Sequence, residues 1–238
     1  MPFDPDEHNK FSIDKFESML KTNQILFFDS EEFEDIVNYY LENGKIALAK
    51  KATKLGLEQH PTCTNLKLYQ IEMYIFENKL DLAADLLDEI EQFEQNNEEI
   101  YIQKANIYSR RDMHEEAIKI LERALDLTPD PADILSMIGM EYLFMEDFEN
   151  ALIYFHRCLE MDGEDYSALY NIIYCYECLE QQEEAILFLN EFLERNPYCE
   201  VAWHQLGKLY YEAEEYSKAL VAYDFAIISD DKFIGAYL

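Results

Sequence analysis

Apolar side chains recur along this chain at the three- and four-residue intervals of amphipathic helices, and strand-like alternation of apolar and polar residues is absent. The pattern predicts pairs of helices that are joined by short turns. One such pair covers about residues 99–111 and 114–127, with Asp112 and Met113 in the turn. Pro129 and Pro131 then close the pair, because proline lacks the N–H group that a continuing helix needs.

Two residue types recur at a fixed interval of 34 residues through six periods, without insertion or deletion. The first type is tyrosine, at Tyr40, Tyr74, Tyr108, Tyr142, Tyr176 and Tyr210. The second type is alanine, at Ala49, Ala83, Ala117, Ala151, Ala185 and Ala219. A fixed repeat of this length indicates a stack of similar helix pairs, each of which cannot bury its apolar face alone. We therefore predict an all-α fold of the α-solenoid type.

The physical roles of the two recurring residues differ. A small residue such as Ala151 lets the two helices of a pair approach closely, whereas leucine would overpack the crossing at a cost of about 1–3 kcal/mol. The tyrosine has an aromatic body to bury and a hydroxyl group that needs a partner or water. We interpret both residues as structural.

The sixth period carries the fullest sequence signature. It contains, in order, Trp203, Leu206, Gly207, Tyr210, Ala219, Tyr223 and Ala226. With this signature the chain resembles the tetratricopeptide-repeat family over about residues 30–233, as six consecutive repeats. The resemblance implies a right-handed superhelix of antiparallel helix pairs. Ile90 and Phe192 depart from it, because the family usually has a small residue there; we expect them to widen or tilt the contact with the following repeat.

The two ends of the chain do not follow the repeat. We predict that residues 1–29 form an N-terminal capping segment, with one apolar helix face formed by Phe11, Phe16, Met19 and Leu20. Asp29 followed by Glu32 predicts a capping box at the start of the first repeat. Residues 234–238 resemble the start of a truncated seventh repeat, which indicates a fragment of a longer repeat protein; the alternative is a natural short tail.

The chain is strongly acidic, with 19 Lys and Arg residues against 50 Asp and Glu residues and a formal net charge of −31. This charge repels phosphate groups, so we predict that the protein binds neither nucleic acid nor an anionic membrane. A protein or peptide partner of basic character fits better. The alternative is that the acidic surface serves only solubility.

No phosphate-binding glycine loop, His-Glu-x-x-His motif or nucleophile elbow occurs in the chain. We therefore predict no enzymatic activity, no cofactor and no metal. Cys175 and Cys178 form a C-x-x-C pair, which can be redox-active or can supply half of a zinc site. The pair lies late in a predicted helix, where the helix dipole opposes a thiolate, and this placement favours a structural role.

The sequence also bears on localisation. The N-terminal residues lack a basic region followed by an apolar core, and no stretch approaches the roughly 18 apolar residues that a membrane span needs. Five cysteines form no disulfide framework. These features predict that the protein is located in the reducing cytoplasm.

The family resemblance implies that the first helices of successive repeats line a concave groove that receives a peptide or a helix. Helical spacing away from the recurring tyrosines gives the side chains that face it. They are Leu68, Glu72, Ile75, Asn106, Met140, Leu143, Tyr170, Tyr174, Glu177, His204, Lys208 and Tyr211. Aromatic and apolar residues prevail from Met140 to Tyr211, as is typical of a binding hot spot. The alternative is that such residues pack against neighbouring first helices.

Three functions fit this sequence. The first is a non-enzymatic scaffold or adaptor that binds a partner protein in the groove. The second is a regulatory or sensor domain of a larger protein, whose enzymatic or transcriptional part lies beyond residue 238. The third is self-assembly, in which the uncapped end of the stack after Ala226 packs on another molecule; we expect a monomer, or weak self-association through this end.

Overall fold

The computed structural model describes residues 5–22, 25–230, 232, 233 and 235, with the backbone only for residues 5–10. These residues form thirteen α-helices and no strand, so the fold class is all-α, as predicted. The helices are α1 (Pro5–Thr22), α2 (Ser30–Glu42), α3 (Ile46–Gln59), α4 (Thr64–Phe76), α5 (Leu80–Glu91), α6 (Glu98–Arg110), α7 (His114–Leu125), α8 (Ala132–Phe144), α9 (Phe148–Met161), α10 (Tyr166–Cys178), α11 (Gln182–Arg195), α12 (Glu200–Glu212) and α13 (Tyr216–Ser229).

The chain divides into two compact units, residues 1–113 and residues 114–238. In unit 1, α1 packs on α2, and α2 to α6 follow as neighbours in chain order. In unit 2, each helix from α7 to α13 packs on the next one. Each unit is therefore a stack of helices. Its buried side chains form clusters between successive helices instead of one central core.

The observed helices agree with the pairs that the periodicity predicts. The pair expected at 99–111 and 114–127 is found at Glu98–Arg110 and His114–Leu125. The two members of this pair belong to different units, since α6 is the last helix of unit 1 and α7 is the first helix of unit 2. The expected start of a seventh repeat at 234–238 lies outside the described residues, apart from Gly235.

Helix α1 covers the first repeat of unit 1 with aromatic side chains. Phe16 is fully buried, and its ring centroid lies 6.0 Å from that of Phe28 and 6.4 Å from that of Phe33. Met19 is buried in the same cluster. The expectation for Phe11 is wrong, because its side chain is 64% exposed. The buried face of α1 therefore includes Phe16 and Met19 but not Phe11.

Glu32 joins α1 to the start of α2. Its carboxylate accepts the backbone N–H of Asp29 at 2.8 Å, which is the bond expected for the capping box. The same carboxylate accepts the hydroxyl of Ser12 at 3.1 Å and lies 3.5 Å from the ammonium group of Lys15. Burial raises the pKa of Glu32, but these bonds and the Lys15 charge outweigh burial, so the pKa is lowered on balance.

A residue in the left-handed conformation follows each first helix of the six pairs. These residues are Gly44, Asn78, Asp112, Glu146, Glu180 and Glu214, with φ between 57° and 66°. They recur at the same 34-residue interval as the tyrosines. Glycine adopts this conformation without steric cost, but five of the six residues are not glycine. The turn geometry is therefore imposed by its surroundings as well as by the local sequence.

The backbone of the recurring tyrosine closes each of these turns. In every pair, the tyrosine carbonyl accepts the N–H of the residue five positions later, at distances between 2.7 and 3.0 Å. In the fourth pair, for example, the N–H of Asp147 donates to the carbonyl of Tyr142, and the N–H of Glu146 donates to that of Leu143. This is the Schellman pattern, which satisfies the last carbonyls of a helix and turns the chain back.

The recurring alanines lie in the cores of the stacks, as predicted. All six are at most 3% exposed. Ile90 and Phe192, which stand where the family usually has a small residue, are also buried, at 3% each. Their side chains therefore contribute to the core of their own unit, and their effect on the contact with the following repeat stays a prediction.

Glycine and a large aromatic residue are paired in two repeats. A Cβ atom on Gly139 would lie 2.8 Å from the ring of Phe155, and one on Gly207 would lie 2.7 Å from the ring of Tyr223. At the positions equivalent to Gly139 and Phe155, the fifth repeat has Ile173 and Leu189. In the fourth and sixth repeats the second helix supplies the large side chain, whereas in the fifth repeat both helices supply one of intermediate size. The space between the two helices of a repeat is filled in either case.

The hydroxyl groups of the recurring tyrosines differ in their hydrogen-bond partners. The ring nitrogen of His156 lies 3.5 Å from the hydroxyl of Tyr176, and Asn190, one repeat later, donates to the hydroxyl of Tyr210 at 3.3 Å. By contrast, the hydroxyl of Tyr40 is buried without a partner among the described residues. Burial raises the pKa of Tyr40 to about 12. This hydroxyl is an unpaired polar group in the core of unit 1.

Removing the Tyr40 hydroxyl should stabilise the protein. We expect Tyr40→Phe to raise the free energy of unfolding by about 1 kcal/mol, because an unpaired buried hydroxyl is removed without a change in shape. The matched variant Tyr210→Phe should lower it by about 0.5–1 kcal/mol, because the bond from Asn190 is lost. Chemical denaturation of both variants measures the two changes. Equal destabilisation by both variants would contradict this interpretation.

The glycine–aromatic pairing can be tested by a double-mutant cycle. Gly139→Ala should lower the free energy of unfolding by about 1–3 kcal/mol, because the new methyl group overlaps the Phe155 ring. In the background of Phe155→Leu, the same change should cost at least about 1 kcal/mol less, because the ring is absent. Additive costs in the cycle would show that the two residues are not coupled.

Candidate partner-binding site

Two of the predicted groove residues in unit 1 are buried. Leu68 and Ile75 are each 6% exposed and pack in one cluster with Ile71, Leu87 and Ile100. The prediction that they face a partner is corrected here. Leu68 and Ile75 lie on the side of α4 that packs against neighbouring helices, so their apolar side chains are covered.

The polar members in unit 1 belong to one side-chain network. The side chain of Gln103 donates to Glu72 at 3.4 Å and to Glu99 at 2.7 Å, and Asn106 donates to Gln103 at 3.4 Å. Burial raises the pKa of Glu72, and the Glu99 carboxylate raises it further. Glu72 and Glu99 also line a pocket of about 260 Å³, together with Leu68 and Tyr69. Glu72 and Asn106 are thus held in place by neighbours within the unit.

In unit 2, the predicted apolar residues divide into packed and exposed side chains. Met140 and Leu143 on α8 are half-buried against the core. Tyr170 and Tyr174 on α10 are 44% and 51% exposed, and Tyr211 on α12 is 61% exposed. We call the eight predicted residues of this unit the first-helix face: Met140, Leu143, Tyr170, Tyr174, Glu177, His204, Lys208 and Tyr211. Its exposed members are the three tyrosines and Glu177.

The first-helix face also carries one ion pair between adjacent first helices. The ammonium group of Lys208 on α12 donates to Glu177 on α10 at 2.9 Å and lies 3.9 Å from Glu212. The hydrogen bond to Glu177 raises the pKa of Lys208. Sequence reasoning placed Glu177 and Lys208 on one face, and the structure brings them into contact. Because the pair is exposed, it contributes little to stability and can exchange partners.

His204 lies among aromatic rings and is not an exposed cation. Its ring centroid is 5.7 Å from that of Tyr223 and 5.5 Å from that of Phe233. Burial lowers the pKa of His204, so the imidazole is neutral at pH 7. Its Nδ1 atom is buried without a partner among the described residues. His204 thus acts as a packing residue at the edge of the face.

Sequence reasoning missed two acidic residues beside the ion pair. A pocket of about 350 Å³ is lined by Glu177, Glu180, Glu212, Tyr176, Gln182, Ala185 and Leu209. Glu180 is the left-handed turn residue of its repeat, and Glu212 directly follows Tyr211 at the end of α12. Helical spacing could have indicated Glu212, whereas only the turn geometry places Glu180 there.

The two cysteines of the C-x-x-C pair differ in exposure, since Cys178 is exposed and Cys175 is buried. Cys175 is fully buried, and burial raises its pKa to about 12. A reactive or metal-binding thiol requires the opposite shift. Burial likewise raises the pKa of Cys158 to about 11. Among the residues that the structure describes, there is no group of three or more His, Cys, Asp or Glu side chains that could hold a metal ion.

Comparison with known proteins gives the family. The family model described as Tetratricopeptide repeat protein 21 second ARM domain matches residues 81–215, which is more than half of the chain. The chain belongs to this tetratricopeptide-repeat family. The match lies within the six predicted repeats and confirms the resemblance on which the groove prediction depends.

Individual relatives are more distant. Anaphase-promoting complex subunit 3 of Schizosaccharomyces pombe is 27% identical over 54% of this chain and 19% of its own length. ER membrane protein complex subunit 2-A of Xenopus laevis is 27% identical over 48% of this chain and 38% of its own length. The chain thus spans well under half the length of these relatives. The solved structure of pilF of Pseudomonas aeruginosa shares the fold, with a TM-score of 0.63, 15% identity, and coverage of 87% of this chain and 95% of that one.

These comparisons support a protein-interaction scaffold as the class of function. No helix in the described part of the chain is both long and apolar enough to cross a lipid bilayer.

Proposed function

We propose that unit 2 binds a peptide or a helix of a partner protein along its first-helix face, in a non-enzymatic scaffold. One observation carries this proposal: Tyr170, Tyr174 and Tyr211 are between 44% and 61% exposed on two successive first helices. Buried apolar residues of the same helices, such as Ile172 and Leu206, already form the core. The exposed tyrosines are therefore free to contact another molecule.

Tyrosine suits this role for physical reasons. Its side chain has two torsion angles to fix, so a large contact area is gained at a small cost in conformational entropy. The ring buries apolar surface and the hydroxyl can still hydrogen-bond at the rim of an interface. The ring of Tyr174 packs edge-to-face against the ring of Phe148, with the two centroids 6.3 Å apart. Such supported aromatic residues are typical interface hot spots.

We propose that the partner segment carries lysine or arginine beside its apolar residues. Glu177, Glu180 and Glu212 line one pocket, Glu212 directly follows the exposed Tyr211 in the chain, and Lys208 is paired with Glu177 and Glu212. The net charge of −31 favours a basic partner and disfavours nucleic acid. Association should accordingly be faster at low ionic strength.

We also propose a reducing compartment, such as the cytoplasm, as the site of function. All five cysteines are free. Three of them, Cys158, Cys175 and Cys199, are buried as small apolar residues. Free buried thiols of this kind are usual in proteins that are kept reduced.

Peptide selection from a random library tests the proposal. Random peptides of about 16 residues, displayed on phage, are selected against the whole chain, and the enriched peptides are measured by fluorescence anisotropy. We expect enrichment of lysine and arginine next to apolar residues. The double variant Tyr174→Ala/Tyr211→Ala should weaken their binding at least about tenfold, because two hot-spot rings are lost.

The matched control is the double variant Tyr166→Ala/Tyr198→Ala. These tyrosines are 38% and 80% exposed and lie near the starts of α10 and α12, outside the first-helix face. This variant should bind the selected peptides as the unmodified chain does. Equal affinity of the selected peptides for all three proteins, at unchanged helicity, would refute binding on the first-helix face.

A further inference from the structure

The last described helix has an apolar outer face that differs from the preceding second helices of unit 2. Val221, Phe225 and Ile228 on α13 are between 42% and 72% exposed. Their spacing of four and three residues places them on one side of the helix. We call these three residues the α13 strip.

The positions equivalent to Phe225 and Ile228 are charged on α9 and α11. One and two repeats before Phe225 the chain has Glu191 and Arg157, and before Ile228 it has Glu194 and Glu160. All four of these charged residues are exposed. The repeat therefore uses these positions as solvent-facing surface, and α13 alone among α9, α11 and α13 fills both of them with large apolar side chains.

This comparison also shows what cannot cover the strip. Further helix pairs of unit 2 follow α9 and α11, and yet Ile153 and Leu187, the equivalents of Val221, stay 55% and 60% exposed. Another repeat stacked in the same way would therefore leave the α13 strip open. Leu220 is different, because its equivalents Leu152 and Ile186 are half-buried. We exclude Leu220 from the strip for this reason.

A shallow pocket with an aromatic wall adjoins the strip. The rings of Trp203 and Phe225 are stacked with centroids 4.6 Å apart and an interplanar angle of 21°. Both residues line a pocket of about 310 Å³, together with Leu206, Tyr210 and Val221. The indole N–H of Trp203 donates to the carbonyl of Pro197 at 2.9 Å, which fixes the ring. The pocket can therefore receive one apolar anchor residue on a rigid wall.

The surroundings of the strip are acidic. Asp224 on α13 and Glu191 and Glu194 on α11 are exposed, and Asn190 of α11 lines the same pocket as Phe225. Lys218 is the cation of the pocket, and it is paired with Glu215 and lies 5.1 Å from the centre of the Tyr210 ring. An apolar centre with an acidic rim is complementary to an apolar surface with a basic rim. A second copy of this chain carries a net charge of −31 and does not offer that rim.

We propose that the α13 strip docks an amphipathic helix of another protein, with apolar residues at i, i+4 and i+7 and with lysine or arginine on both flanks. One apolar residue of that helix would enter the Trp203–Phe225 pocket. This surface lies on a second helix and is separate from the first-helix face, so the two proposals can fail independently. It gives the scaffold a second docking position within unit 2.

The test uses the whole chain and a designed, fluorescein-labelled helical peptide of about 18 residues, with leucines on one face and lysines on both flanks. The strip variant is Phe225→Arg/Ile228→Glu, which introduces residue types that equivalent helices already carry and leaves the net charge unchanged. We expect its affinity, measured by fluorescence anisotropy, to fall at least about tenfold. The matched control Ile153→Arg/Leu187→Glu should bind the peptide as the unmodified chain does.

Further arms identify other occupants. We expect the variant Tyr174→Ala/Tyr211→Ala to retain the peptide; loss of binding there would place the peptide on the first-helix face and overturn the proposal. Equal affinity for a peptide of scrambled order would overturn it as well. So would a strip-dependent rise in mass with concentration in light scattering, which would indicate a second copy. Strip-dependent binding to phosphatidylcholine vesicles would indicate a membrane and would also overturn it.

Discussion

The left-handed turn that follows each first helix is the constraint on which this structure depends. It recurs at Gly44, Asn78, Asp112, Glu146, Glu180 and Glu214. In each turn, the backbone carbonyl of the recurring tyrosine accepts a hydrogen bond from the backbone N–H of the residue five positions later. Within each unit, the backbone geometry at this one position directs the second helix back along the first. Every residue type has this carbonyl, so the recurrence of tyrosine itself reflects its side chain, whereas the 34-residue interval is shared by the turn and the tyrosine.

Packing across each pair depends on that reversal. Once the helices are antiparallel, the buried alanine of the second helix permits a close crossing, and the remaining volume is filled from either side. Gly139 faces Phe155, whereas the equivalent positions one repeat later hold Ile173 and Leu189. Repeats built in this way can vary in sequence while their backbones stay similar. Exposed positions are then free to carry tyrosines on first helices and an apolar strip on α13.

Much of this structure could be predicted from the sequence, because the decisive features are local and periodic. Helix positions, the buried alanines and the bond from Asp29 to Glu32 all follow from spacing and capping chemistry. The burial of Leu68 and Ile75 follows the alternative that the sequence left open, since spacing identifies a helix face but does not show whether a neighbouring helix covers it. The left-handed conformation of the turn glutamates could not be predicted from residue type, because glutamate disfavours this conformation. Only the position of these residues within the repeat indicates it.

The most direct test of this account is the free energy of unfolding at one such turn. Glu146 is exposed and has φ of 58°. Replacement by glycine should raise the free energy of unfolding by about 1 kcal/mol, because the strain of a side chain in this region is removed. Replacement by valine should lower it by at least about 1 kcal/mol, because a β-branched residue fits the region worst. If chemical denaturation gives the same value for both variants, the turn does not control the helix pair.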